Sequence, residues 1–365
     1  MEIRAGSNPG FDDYALTGTM ELRVMRFRLA FCLAAMTSLG SYALAQNATG
    51  AQHKLSMLKT IARQEGDARF AFASIDNAAR RLYVARGFGV TAIDLDSEHM
   101  IRQLVAGNHV HAVIPLPGGR ALSTNGDANT AMLFNASTGE VIAQLNTGED
   151  PDAATFDSSS GLVFVMDHQE GDITLIDPND AKVVGRLAVG GKLESAVADG
   201  HGHLFVNVRD QNTMAVVDTA ARKVLRRYDL PGCEGPTALG GDLESGILVA
   251  ACANRTALGL RASDGTIVAP HLTIDRKADA VMFDTVRKNF YIPCGRDGTL
   301  VVISETREGT LAVQSSVATA VGAHTGALDP QTGRLYLPTA DFHLTFGGIA
   351  PADGTFRVLV LGFGP

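Results

Sequence analysis

The chain has 365 residues, 45% of them hydrophobic and 19% charged, with a formal net charge of −8 at pH 7. That balance describes a globular chain rather than a disordered one. Its acidity argues against generic nucleic-acid binding, which needs a basic surface.

Residues 1–24 are polar, carry Asp12-Asp13 and fit no part of an export signal, so they read as an extension upstream of a true start at Met25. Residues 25–45 read as a cleavable signal peptide. Met25-Arg26-Phe27-Arg28 is the positive segment, 29–39 the apolar segment, and Ala43-Leu44-Ala45 the small-residue site, with cleavage after Ala45. The apolar segment is too short for a comfortable membrane span, and the mature chain offers no other. The expectation is a periplasmic or secreted protein of residues 46–365, forming one domain.

From about residue 68 the chain repeats itself. Clear copies open at Asp152, Glu194, Asp279 and His324, and an acidic residue ends the first apolar run of each unit, at Asp157, Asp199, Asp242, Asp284 and Asp329, about 42 residues apart. Asp76 lies two units ahead of Asp157, and the unit between them starts near His111, with Leu116-Pro117 at the marker position. Seven units fit. Each holds three short runs rich in Val, Ile, Leu and Phe and a weaker fourth, separated by Asp, Gly, Asn and Pro. In the third unit these runs are 153–156, 162–166, 173–176 and 183–187. A repeat of this period with four strands per unit predicts an all-β, seven-bladed β-propeller of antiparallel blades. The last unit runs out of chain after three strands. Its outer strand is expected from residues 55–62, which would close the ring by pairing the two ends of the chain.

Recognised chemical motifs are absent. The chain has no Trp, which removes the WD signature and the Trp motifs of sialidase and quinoprotein propellers. It has no Cys-x-x-Cys-His, P-loop, G-x-S-x-G or H-E-x-x-H. Ser56-Met57-Leu58-Lys59 matches S-x-x-K without its partners, a chance match. Of two His-x-His pairs, His201/His203 fall in a turn, whereas His109/His111 open an innermost strand.

That opening position is the candidate site. Five residues before each marker stand His111, Asp152, Glu194, Thr237, Asp279 and His324, with Ala71 in the first unit. In a propeller this register faces the central channel mouth, so six blades aim a polar or ionisable group at one axial space. Such a ring suits a polar ligand or a divalent cation, with Asp152, Glu194 and Asp279 as candidate metal ligands. It equally suits a water-filled channel.

Three cysteines follow the cleavage site. Cys233 precedes the first strand of the fifth blade and Cys252 ends its second, so the two are expected to form a disulfide, the alternative being two buried thiols. Cys294 is left as a packed thiol.

The phrases Arg80-Arg81-Leu82-Tyr83-Val84, Pro151-Asp152, Phe205-Val206-Asn207, Cys233-Glu234-Gly235-Pro236-Thr237, Cys252-Ala253-Asn254 and Asp297-Gly298-Thr299-Leu300 resemble the exported YVTN/YncE-type seven-bladed propellers of bacteria. The resemblance spans residues 55–361 and implies a monomeric binding or scaffold-like protein without an agreed reaction. The chain departs from that pattern at Ala71, Glu194, Cys294 and His324. The leading functional expectation is a non-enzymatic binding module that presents the channel mouth to a small ligand or an envelope partner. The alternative is a metal-dependent, lactonase-like hydrolase using a cation at that mouth.

Overall fold

The computed structural model describes residues 54–64, 66–306, 309–345 and 348–364. The stretches read from sequence as an extension and a signal peptide, 1–24 and 25–45, lie outside them. Among the described residues no helix is long and apolar enough to cross a membrane.

Seven four-stranded antiparallel sheets form a ring. The first blade comprises Phe70–Asp76, Arg81–Arg86, Gly89–Asp94 and Met100–Ala106, and the next five repeat that order from the channel outward. The seventh takes Ala327–Asp329, Arg334–Thr339 and Phe356–Phe363 from the C-terminal end and Leu55–Gln64 from the N-terminal end. The expected closing strand is therefore present, two residues longer than 55–62. Its register runs from Leu55 opposite Phe363 to Gln64 opposite Phe356. A small extra hairpin, Phe342–Thr345 with Gly348–Pro351, interrupts this blade.

Burial explains the composition of the strands. Second strands such as Leu162–Asp167 are buried along their whole length, because neighbouring blades cover both faces; this is why they read as continuous apolar runs rather than alternating ones. Outer strands such as Lys182–Ala188 are largely exposed and carry the polar residues that made the fourth run weak. Seven apolar clusters fill the seven interfaces between blades. The closing interface contains Ile61, Phe356 and Val358 against Leu82, Val84 and Ile93.

The repeated aspartate is a turn-former. In six blades its carboxylate accepts the amide two residues on: Asp76 from Ala78, Asp157 from Ser159, Asp199 from His201, Asp242 from Glu244, Asp284 from Val286 and Asp329 from Gln331. This Asx arrangement holds the turn between the first two strands. The second blade has no such aspartate and turns instead through Gly118 and Gly119, both at positive φ, which glycine adopts without strain.

Asp329 has a second role. It is fully buried and accepts from Arg80 Nη1 at 2.8 Å, tying blade seven to blade one. Burial works against its charge, but Arg80 and Thr332 outweigh burial and hold the carboxyl below its ordinary range. A depressed carboxylate stabilises the fold above its unfolded pKa and ceases to do so as the pH falls through its folded value. Asp329→Asn should therefore cost about 2–3 kcal/mol at pH 7. In chemical melts, its deficit against wild type should shrink steadily between pH 5 and pH 3. A deficit that does not change with pH would refute the ion-pair account.

The Cys233–Cys252 disulfide is formed, with the two Cα atoms 5.5 Å apart. It ties the loop before the fifth blade to the end of that blade's second strand. Closing a loop of this size contributes roughly 3 kcal/mol in the chain-entropy model. Cys233→Ser/Cys252→Ser should lower stability by that order in urea, and an unchanged midpoint would show the bond to be dispensable. Cys294 is buried, and burial pushes its thiol up to about 12, consistent with a packed, unreactive residue.

Candidate functional site

The innermost strands pack side by side around the axis, first against seventh included. They deliver their opening residues to one cavity of about 470 Å³ at the channel mouth. His111, Asp152, Glu194, Thr237, Asp279 and His324 all line it, as does Ala71. His203, expected in a turn, instead opens its blade's second strand and does not line it; its Nδ1 lies 2.9 Å from Asp199 Oδ2. His109 sits at positive φ ahead of its strand, with Nδ1 3.1 Å from Asp127 and its ring centroid 4.3 Å from that of His111.

A second ring of residues reaches the same mouth. Because the first two strands of a blade are antiparallel, the end of the second lies beside the start of the first: Pro151 opposite Asp167, Leu193 opposite Val208, Pro236 opposite Cys252. In blades three to five the residue that follows the second strand enters the cavity, giving His168, Arg209 and Ala253. The same register holds Gly126 and Gly295, and there the missing side chain makes room. A Cβ on Gly126 would stand 2.5 Å from His111 Nε2, and one on Gly295 would stand 2.6 Å from His324 Cβ. Loop residues Asp150, Arg276, Lys277 and Arg296 complete the polar lining.

Charge is divided across the mouth. On the side of blades two to four, His111 stands between two carboxylates, with Nε2 3.4 Å from Asp150 Oδ1 and Nδ1 3.4 Å from Asp152 Oδ1. Burial disfavours a charged His111, but the nearby carboxylates of Asp150 and Asp152 prevail and raise its pKa. Burial raises Asp152 despite His111 and His168. Glu194, 7% exposed, is pushed up to about 8 by burial and then by Asp152, although Arg209 Nη1 donates to its Oε1 at 3.0 Å.

On the other side, Asp279 lies 3.4 Å from Lys277 Nζ and 3.7 Å from His324 Nε2. Burial opposes its charge, yet Lys277 and His324 keep its pKa low. Burial holds His324 down; its Nδ1 donates to Gly322 O at 2.6 Å, and its ring stacks on Phe70 with centroids 5.1 Å apart.

The metal-ligating groups assort differently from the sequence expectation. Among the described residues, the trio with ligand atoms within 4.8 Å of one another is Asp152, His168 and Glu194. Asp279 is not in it, being held across the mouth by Lys277. His168 was missed because it belongs to the second ring. Its repeat position was available from the sequence, but the register is polar only at His168 and the adjoining Arg209, with Gly126 and Ala253 on either side.

No family model matches the chain, and no curated protein matches it. Its fold is shared with solved structures. A chain of the mitotic checkpoint complex superposes with a TM-score of 0.68 at 13% identity, covering 94% of this chain and 99% of that one. A chain of hydrazine synthase from Kuenenia stuttgartiensis gives 0.62 at 12%, covering 80% and 97%. The U3-55K structure gives 0.65 at 10%, covering 82% and 97%. At these identities the likeness concerns fold alone. Strand topology and structural likeness together make the chain a seven-bladed β-propeller.

Proposed function

We propose that this protein is an exported, monomeric binding protein of the YVTN/YncE type, whose channel mouth takes a small, polar, charged ligand. The observation that carries this reading is the convergence of five ionisable residues that open innermost strands, joined by His168 and Arg209 from the ends of second strands, on one cavity of about 470 Å³. That volume lies in the range of small-ligand pockets. Carboxylates and histidines stand on both sides of the mouth, with Arg209 beside Glu194 and Lys277 beside Asp279, and this mixture favours ligands that carry charges of both signs. Export is supported by residues 25–45 and by a disulfide, which persists in oxidising compartments.

A thermal-shift screen of amino acids, polyamines and small dicarboxylates tests the reading. A ligand at 100 times its Kd should add about 2.7 kcal/mol of stability, and that gain should vanish in Lys277→Ala and in Asp152→Ala while the unliganded melts stay close to wild type. No shift from any ligand, together with capture of a protein partner that both variants still bind, would replace this reading with a scaffold function.

The second reading, a metal-dependent lactonase-like hydrolase, is favoured by the Asp152, His168 and Glu194 grouping. It requires lactone turnover that Asp152→Ala abolishes without unfolding the chain. Turnover that survives the substitution would exclude it.

A further inference from the structure

We propose that Asp152, His168 and Glu194 form a binding site for a first-row transition cation of the zinc type. The inference deepens the reading of the channel mouth as a ligand site, and rests on it, by naming one ligand class and its side chains.

Geometry supports it first. One ligand atom from each residue lies within 4.8 Å of the other two. Ligands about 2.1 Å from an ion stand about 3.4 Å apart in a tetrahedral shell. Small side-chain rotations therefore suffice, and the backbone need not move. The three residues also come from rigid places: two adjoining innermost strands and the end of a second strand.

The histidine is oriented for the task. His168 Nδ1 lies 2.8 Å from the carbonyl of Leu193, which only accepts, and 3.7 Å from Glu194 Oε1, so Nδ1 donates to the carbonyl and Nε2 is the nitrogen that would turn to an ion. A ring nitrogen bonded to a backbone carbonyl is the usual support of a metal-bound histidine. Here the carbonyl belongs to the residue just before Glu194, so one stretch of strand positions both ligands.

Local charge makes the same point. Glu194 and Asp152 are 9% and 16% exposed at their side chains and face each other in a low-dielectric pocket. The compensating groups in place are Arg209 on Glu194 and His111 on Asp152. Arg209 is 46% exposed at its side chain and can withdraw to solvent. A cation would then take its place on Glu194. One imidazole with two carboxylates suits zinc or a similar transition ion better than calcium or magnesium, which prefer oxygen-only shells.

The test is calorimetric titration of the EDTA-treated full chain with zinc chloride, and separately with calcium and magnesium chloride. One tight zinc site per chain is expected, weakened at least about 10-fold in His168→Gln and in Asp152→Asn, with little heat from calcium or magnesium. Arg209→Gln should bind zinc more tightly, because the competing charge is gone. His203→Gln serves as the control for the exposed histidines and should leave the tight site intact. Melts of each variant without metal separate lost ligands from lost folding.

Zinc binding that survives His168→Gln, or that disappears in His203→Gln, would overturn the site, as would the absence of tight binding in wild type. If zinc does not bind while Lys277→Ala still removes the shift from an organic ligand, the metal assignment falls and the channel-mouth reading stands. If zinc binds and no organic ligand does, the cation site stands without the small-ligand reading.

Discussion

Removing residues 55–64 is expected to abolish cooperative folding, although the deletion touches neither the channel mouth nor any complete blade. The strand Leu55–Gln64 is the outer member of a sheet whose other three strands come from the far end of the chain. Without it, Phe356–Phe363 presents an unpaired edge, and such edges invite aggregation. Buried Leu55 and Ile61 are lost from the interfaces of blade seven with blades six and one. Losing two such side chains alone costs on the order of 4–10 kcal/mol, which is comparable to the whole stability of a domain. The measurement is a urea melt of the truncated chain against wild type, with a synthetic peptide of residues 55–64 added in excess. A lost or strongly shifted transition that the peptide partly restores would establish closure by this strand. A midpoint unchanged by the deletion would mean that six complete blades and a three-stranded seventh suffice.

Replacing Arg86 by Ala should cost about 3–5 kcal/mol, because it strands three acceptors and leaves a cavity where a large buried side chain stood. Arg86 ends the second strand of blade one and is fully buried. Its Nε donates to Arg69 O at 2.8 Å, its Nη1 to Thr91 Oγ1 at 3.1 Å, and its Nη2 to Asp67 O. Its guanidinium lies 3.5 Å from the ring centroid of Phe356, in blade seven. Burial pulls its pKa down to about 10, leaving it charged at neutral pH. The residue thus joins the first and last blades through the face of an aromatic ring, while these hydrogen bonds hold it within blade one and the segment before it. Arg86→Ala leaves a void and three acceptors without their donor. Arg86→Met refills part of the void and should recover part of the loss. A loss under about 1 kcal/mol for Arg86→Ala would show that water replaces the side chain readily.

The architecture was legible because a propeller states its fold once per blade. The marker aspartate, the glycine after it and the apolar pair in the second strand recur because each blade solves the same turn and the same two-faced burial. Even the exception could be read: Leu116-Pro117 replaces the aspartate where a double glycine makes the turn. The ring closure and the disulfide were legible for a related reason, since both follow from counting antiparallel strands.

The six opening residues could be placed at the mouth for the same reason, because a strand register carries position from blade to blade. What the sequence by itself determined is therefore the all-β ring, its closing strand and one ring of polar side chains around an axis, with the Cys233–Cys252 bond expected and settled by the structure. What only the tertiary structure decided is which of those side chains meet. Asp152 and Glu194 join His168, whereas Asp279 crosses to Lys277 and His324. Repeat periodicity fixes how residues recur along the chain, but ion pairing depends on distances of a few ångströms between blades and on loop residues that no repeat dictates. A shift of that size changes a Coulomb energy severalfold inside a low-dielectric cavity, so the chemistry of the mouth is set by the packing of the ring.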